Sequence, residues 1–359
     1  MSERAARLHD TPWQGVFYLA GGGTALVSEL LTTPGASRTV LDVRIPYAGA
    51  AMAELLGGVP DQACSEATAR AMAMSAFLKA RQLGASLPFG FACTASLATD
   101  RAKKGEHRAH AAIQTLDGTW TAFWTFEGDR AAEEAALAEA LWAKLGRVLA
   151  LDGVTGEVSV VHTAGRPAWQ SLLLGDELAV PTTAHAGDLL LPGAFNPLHA
   201  GHREMLRIAE SVTGRTGAYE LSVANVDKPF LDYREIEQRL TQFDRPVWLT
   251  RLPTFIEKAR RFRDATFAVG LDTLLRIADP RYYGSEALRD VALEELAEYG
   301  AHYLVFGREI HGVFRVLDDV IDGLPARLAA LTSGVSERDF RSSESSTRLR
   351  RPPRPDAPS

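Results

Sequence analysis

The sequence predicts an α/β protein of two domains, and three observations carry that expectation. The chain has 359 residues, enough for two ordinary domains, and 46% of them are apolar against 23% charged. Strand-like and helix-like segments alternate along its length. From Gly187 onward that alternation sharpens into the pattern of a parallel sheet wound with helices on both faces. The expected layout is a first domain over 1–165, a second over 185–350, and an unstructured tail over 351–359.

In the first half, Val16–Ala20 reads as a strand, Gly21–Gly23 as a tight turn, and Thr24–Leu31 as a helix stopped by Pro34 and Gly35. A second helix spans Ser65–Arg81, with Ser65 placed to cap it and Glu66 in its first turn. Phe89–Cys93 and His110–Thr115 read as strands, and Trp120–Phe126 alternates as a half-buried strand does. Ala131–Leu149, rich in Ala, Leu and Glu, predicts a long helix. Mixed strand and loop fills 156–187. In the second half, strands are expected at Asp188–Leu191, Tyr219–Val223, Val247–Leu249, Thr266–Val269 and Tyr303–Phe306. Helices are expected at Gly201–Val212, Tyr233–Gln242, Thr254–Phe262, Thr273–Ala278 and Ser285–Tyr299. The basic segment Phe255–Arg263, including Lys258, reads as a solvated helix face, with one arginine meeting an acceptor phosphate as the alternative.

The most informative stretch is Gly193-Ala-Phe-Asn-Pro-Leu-His-Ala-Gly-His202. It follows the apolar run Leu189–Leu191 and precedes Met205, Leu206, Ile208, Ala209 and Val212, spaced as a buried helical stripe with Gly214 as the stop. His199 and His202 then lie three apart at a helix start and face the same way. Unpaired N–H groups and the positive dipole end there favour a polyphosphate, and two imidazoles add donors for charge on phosphate oxygens. The pattern Gly-x-Phe-x-Pro-x-His-x-Gly-His resembles the signature of the H-x-G-H nucleotidyltransferase superfamily. That superfamily includes nicotinamide and nicotinate mononucleotide adenylyltransferases, pantetheine-phosphate adenylyltransferase, cytidylyltransferases and class I aminoacyl-tRNA synthetases. The resemblance implies a Rossmann-like domain in which Gly193, Ala194 and Phe195 line the nucleotide and His199 and His202 act on its phosphates.

Three further segments fall at the expected strand ends. Lys228, in Asn225-Val-Asp-Lys-Pro229, reads as a point charge suited to a bridging or leaving phosphate, or else as a surface lysine in the turn before Pro229. Val269-Gly-Leu-Asp-Thr273 resembles the Gly-x-Asp segment of the mononucleotide adenylyltransferases. Gly270 then admits the ligand to the backbone, and Asp272 either accepts from ribose hydroxyls or simply caps its helix. Glu344-Ser-Ser-Thr-Arg-Leu-Arg350 resembles the second superfamily signature, Ile-Ser-Ser-Thr-x-x-Arg, with Glu344 in place of Ile. The resemblance assigns Ser345, Ser346 and Thr347 to the β- and γ-phosphates, and Arg350 to assist catalysis.

The first half resembles the C-terminal domain of the competence-damage (CinA) family, an α/β sandwich that includes nicotinamide mononucleotide deamidases. Tyr18-Leu-Ala-Gly-Gly-Gly-Thr24, the Pro34-Gly35-Ala-Ser37 turn, Tyr47 and Cys93-Thr-Ala95 carry that resemblance. With the Pro-Gly turns aligned, the family's motif serine falls on Ala20 and its Cys-Thr pair on Gly21 and Gly22. Alanine supplies no hydroxyl nucleophile. The resemblance therefore implies a domain that has lost hydrolysis and serves as a scaffold, a dimerisation domain or a nucleotide sensor. Arg101, Lys103, Lys104, His107 and Arg108 read either as a solvated loop or as the lining of an anion pocket.

Together these readings predict adenylyl transfer from ATP, with Mg²⁺, to a phosphate-bearing acceptor, by resemblance nicotinamide or nicotinate mononucleotide. Other adenylyl- or cytidylyltransferases, and a regulator that binds pyridine nucleotides without turnover, are the alternatives. The net charge of −6 gives no basis for nonspecific binding to nucleic acid or a membrane. Two cysteines, Cys64 and Cys93, form neither a disulfide framework nor a zinc set. No membrane-length apolar run or leader-like apolar core is present, so the expectation is a cytoplasmic protein with small-molecule nucleotide partners. A homo-oligomer formed through the first domain is a further expectation.

Overall fold

The computed structural model describes residues 2–100, 105–154, 159–224 and 230–342. It is an α/β protein of two compact units. Unit 1 comprises Met1–Leu173 together with Asp227–Glu237, and unit 2 comprises Leu174–Val226 and Gln238–Ser359.

Unit 1 contains α1 (Glu3–His9), β1 (Trp13–Ala20), α2 (Thr24–Thr32), β2 (Val40–Arg44), α3 (Gly49–Leu56), α4 (Glu66–Gln82) and β3 (Leu87–Ser96). It continues with β4 (His107–Gln114), β5 (Gly118–Phe126), α5 (Arg130–Val148), β6 (Val161–Ala164) and α6 (Pro167–Leu174). The sheet runs β2-β1-β3-β4-β5-β6, parallel across its first three strands and antiparallel beyond. Alternation along β1 and β3 sends Phe17, Phe89 and Phe91 into a core with Leu141 and Trp142 of α5. Val16, Tyr18 and Ala92 enter a second core with Met72, Ala73 and Ala76 of α4. Helix α4 approaches the sheet so closely that a Cβ at Gly90 would lie 2.0 Å from the Ala73 carbonyl oxygen. Ser65 caps α4 as its sequence predicts, accepting from the Thr68 N–H.

Unit 2 contains β7 (Ala179–Pro181), β8 (Leu189–Pro192), α7 (Ala200–Thr213), β9 (Ala218–Ser222), α8 (Tyr233–Leu240, whose first five residues belong to unit 1) and β10 (Val247–Thr250). Then come α9 (Phe255–Arg261), β11 (Thr266–Gly270), α10 (Leu271–Ala278), α11 (Glu286–Glu298), β12 (His302–Phe306), the hairpin β13 (Arg308–Ile310) and β14 (Val313–Arg315), α12 (Ala326–Ala330) and β15 (Thr332–Gly334). The sheet order is β15-β12-β11-β8-β9-β10-β7. Every pair is parallel except β10 with β7. The chain therefore winds outward from β8 through β9 to β10, then returns to build β11, β12 and β15 on the other side of β8. That is the strand order of a doubly wound fold, with its topological switch point between β8 and β11.

Among the described residues two lysines are buried, and one of them departs from its sequence expectation. Lys258 was expected on a wet face; instead it is 5% exposed, and its Nζ donates to Glu220 Oε1 at 2.7 Å and to the Leu252 carbonyl at 2.7 Å. The helix pattern does not reveal this, because the partner carboxylate lies on β9, a strand away in sequence. Lys144 of α5 is fully buried, and among the described residues its Nζ has no hydrogen-bond partner. Burial pushes its ammonium down to about 7.

These two sites predict opposite outcomes for the same substitution. Lys144→Met should raise stability by about 1–3 kcal/mol at neutral pH, because it removes an unsatisfied buried amine. The wild type gains stability as pH rises from about 7 toward 10.5, since only the denatured chain holds the Lys144 proton in that window. The gain from Lys144→Met should shrink over the same window. Lys258→Met should instead lower stability by about 3 kcal/mol, leaving Glu220 buried and unpaired. Denaturant titrations of both variants at several pH values measure these differences.

Candidate functional site

At the carboxyl end of β8 the chain enters the loop 193–199 before α7. The Gly193 N–H bonds to the Glu220 carbonyl at 3.0 Å, extending the strand pairing by one residue. Phe195 turns the chain with φ +47°, a conformation an aromatic residue adopts only when its surroundings enforce it. Its ring is buried edge-on against Tyr219, Phe243 and His202, with centroids 5.2, 5.2 and 5.1 Å apart. It also covers Gly193, where a Cβ would meet the ring at 2.7 Å. Phe195 therefore packs its ring against His202, and its side chain is buried. The Asn196–Pro197 bond is cis. Gln242 brackets the loop, accepting from the Leu198 N–H at 2.8 Å and donating to the Phe195 carbonyl at 3.3 Å. Arg239 holds the Ala194 carbonyl at 2.6 Å.

His199 is the N-cap residue of α7, and His202 sits one turn further on. Their rings stack with centroids 3.7 Å apart and 27° between planes. The His199 backbone N–H donates to His202 Nδ1 at 3.4 Å. This assigns the His202 proton to Nε2, leaving that N–H as the donor. Burial pushes the His202 imidazolium down to about 3, with His199 and Arg308 adding repulsion. The ring is thus a neutral donor at neutral pH. Between the histidines, a Cβ at Gly201 would lie 2.9 Å from Ser342 Oγ and 3.1 Å from the His199 ring. Glycine at that position lets the chain at Ser342 lie against the histidine turn.

Across the switch point, Gly270 ends β11 and is itself the N-cap of α10, with no side-chain cap hydrogen bond. Of the two readings of Asp272, capping is therefore not realised. Its carboxylate folds over Gly270, with Oδ1 2.6 Å from where a Cβ would stand, and its Oδ1 lies 3.9 Å from Arg308 Nε. Arg308 opens the hairpin after β12 and also acts electrostatically on His202. It brings a cation to the switch point, and no sequence motif pointed to it. Lys228, Ser345, Ser346, Thr347 and Arg350 lie outside the described residues. Among the described residues no group of three or more His, Cys, Asp or Glu side chains is arranged to hold a metal ion. No helix there is long and apolar enough to cross a membrane.

In unit 1, the glycine turn before α2 meets a carboxylate supplied by the chain itself. Glu134 of α5 accepts from the Gly23 N–H at 3.0 Å, the Ala25 N–H at 3.2 Å and the Thr24 hydroxyl at 3.1 Å. It thereby fills the anion position that a helix N-terminus offers. His107, one of the basic run, pairs with the buried Glu133 at 2.5 Å instead of lining an anion pocket. Arg101, Lys103 and Lys104 lie outside the described residues.

No protein-family model matches the chain, and no curated protein matches it. Among solved structures it is similar to a CinA-superfamily protein from Enterobacter cloacae, at 20% identity and TM-score 0.35, over 40% of this chain and 87% of that one. It is also similar to a competence/damage-inducible protein from Agrobacterium tumefaciens, at 23% identity and TM-score 0.34, over 42% of this chain and 94% of that one. A competence damage-inducible protein A from Klebsiella pneumoniae gives 19% identity and TM-score 0.35, over 41% and 96%.

The site predicts the titration of His202. Its ring resonances should show no protonation step between pH 5 and 8 by NMR. Because its pKa is held down in the fold, its contribution to stability is full above 6.5 and is lost as pH falls toward about 3. Arg308→Met should move the pKa upward.

Proposed function

We propose that the chain is a nucleotidyltransferase, with the His199–His202 turn binding the triphosphate of ATP. The observation that carries this reading is the stacked imidazole pair at the N-terminus of α7, beside the crevice where strand order reverses. A parallel sheet of this order binds ligands at that crevice, and the amides of a helix N-terminus favour phosphate. His202 donates through Nε2 without carrying charge, so it needs no proton exchange with solvent to act. Gly270 and Asp272 on the other side of the crevice suit ribose hydroxyls, and Arg308 supplies positive charge between the two.

The reaction follows from these parts. An acceptor phosphate, already an anion at neutral pH, attacks the α-phosphorus, and the bond from that phosphorus to the β-bridging oxygen breaks. Pyrophosphate leaves with the electron pair. Charge on the non-bridging oxygens and the leaving group is met by the imidazole donors, the helix amides and Arg308; catalysis is positioning plus charge stabilisation. Lys228, Ser345, Ser346, Thr347 and Arg350 are proposed for the same phosphates. Ser342, against Gly201, stands three residues before Ser345 in the chain. Mg²⁺ enters as Mg·ATP, coordinated chiefly by phosphate oxygens and water. Nicotinamide or nicotinate mononucleotide is the proposed acceptor, on the likeness of the Val269–Thr273 segment to that subfamily.

His202→Ala and His199→Asn should each lower pyrophosphate release by about 10²–10³-fold, with the circular-dichroism spectrum unchanged. A coupled pyrophosphate assay across acceptor phosphates tests this. Turnover near wild type in His202→Ala would sink the reading.

A further inference from the structure

Within unit 2, the chain that follows β15 returns to the histidine turn. It keeps pairing for one residue, the Val335 N–H donating to the Val305 carbonyl at 2.9 Å. Ser336 then turns it. The Ser336 carbonyl accepts from the Asp339 and Phe340 N–H groups at 3.1 and 3.0 Å, and its hydroxyl donates to Asp339 Oδ2 at 2.7 Å. Phe340 is 6% exposed, and its ring meets Phe306, the last residue of β12, edge-on with centroids 5.1 Å apart. The Arg341 guanidinium lies 5.4 Å over the Phe314 ring, in the hairpin that opens with Arg308. Phe314 in turn covers Gly307, where a Cβ would meet its ring at 2.6 Å. The next residue is Ser342.

The sheet order places β12 and β11 between β15 and β8. At about 4.8 Å per strand, the segment leaves the sheet about 14 Å from the histidine loop, and it crosses the carboxyl ends of β12 and β11 to reach it. Its end is closely fitted. Ser342 Oγ and the Nδ1–Cε1 edge of His199 both face the space over Gly201, 2.9 and 3.1 Å from where a Cβ would stand. His199 is buried, and one face of its ring stacks on His202. The imidazole is thus bounded by His202 on that face and by Ser342 across the glycine. Along 335–342 the aromatic ring is that of Phe340, and it supplies the largest apolar area holding the segment down. We infer that Phe340 is a positioning residue for His199, acting through the segment it seats and the serine at that segment's end. Packing on Phe306 fixes the segment, and the missing side chain at Gly201 lets it close on the imidazole.

The effect on His199 is independent of the transferase reading; the effect on turnover rests on it. The test compares full-length wild type, Phe340→Ala and Phe340→Leu by amide hydrogen exchange and by ¹⁵N NMR of the histidine rings. In Phe340→Ala, with β11 and β12 protected as in wild type, exchange across 199–203 should rise about tenfold or more. The His199 ring resonances should move, while those of His302, at the opposite end of β12, stay in place. Phe340→Leu keeps apolar bulk at the seat and should fall between the two. In the pyrophosphate assay, Phe340→Ala should lower kcat about tenfold while KM for ATP changes less than twofold, and Phe340→Leu should recover most of the loss. Wild-type exchange and unmoved His199 resonances in a folded Phe340→Ala would overturn the proposal. If Phe340→Ala alone unfolds, the same readouts in Phe340→Leu decide. Global unfolding of both variants would also overturn it, by assigning the ring to the core alone. Failure of wild type to release pyrophosphate with any acceptor would instead sink the transferase reading and leave the exchange and NMR results standing.

Discussion

Strand β8 has parallel neighbours on both sides, and the chain leaves it toward β9 and returns to it from β11. This reversal is the constraint on which the site depends. Connections that depart in opposite senses leave a crevice at the carboxyl ends of the two strands. What fills it is decided locally, by the buried Phe195 ring, the small Gly201 and Gly270, and the first turn of α7. Each of these residues makes room for a neighbour or aims one. In the proposed reading the chemistry falls to a few polar groups, namely the stacked imidazoles, the Asp272 carboxylate and the Arg308 guanidinium.

Burial sets the character of that chemistry. His202 is too dry to hold a proton at neutral pH, so it offers a fixed N–H dipole where an exposed histidine would offer a fluctuating charge. A preorganised dipole needs no rearrangement as charge builds on a phosphate. Unit 1 follows the opposite logic at its own helix N-terminus. There the Glu134 carboxylate meets the free amides and joins α5 to the α2 turn through three hydrogen bonds.

Much of this was legible in the sequence because it is periodic or local. The long elements α4, α5, α7 and α11 and the inner strands carry stripes or apolar runs strong enough to be read alone, and Ser65 announced its cap. The histidine turn was legible because Gly193, Phe195, Pro197, Gly201 and both histidines occur within ten residues. Short elements such as β2, β7 and β15 gave no period to read, being held mainly by neighbours distant in sequence. Lys258, Arg308 and Glu134 were missed for one shared reason. Each owes its role to a partner on another element, and nothing in its own local pattern distinguishes it from a solvated charge.

The most direct measurement is ¹⁵N NMR of the histidine side chains during titration with Mg·ATP. The account predicts that the His202 Nε2–H resonance shifts saturably with ATP and that inorganic tripolyphosphate reproduces most of the shift. It also predicts that His185, on the β7–β8 connection, stays unmoved. ATP binding that leaves His199 and His202 untouched would contradict it, as would a saturating shift produced equally by the nucleoside without its phosphates.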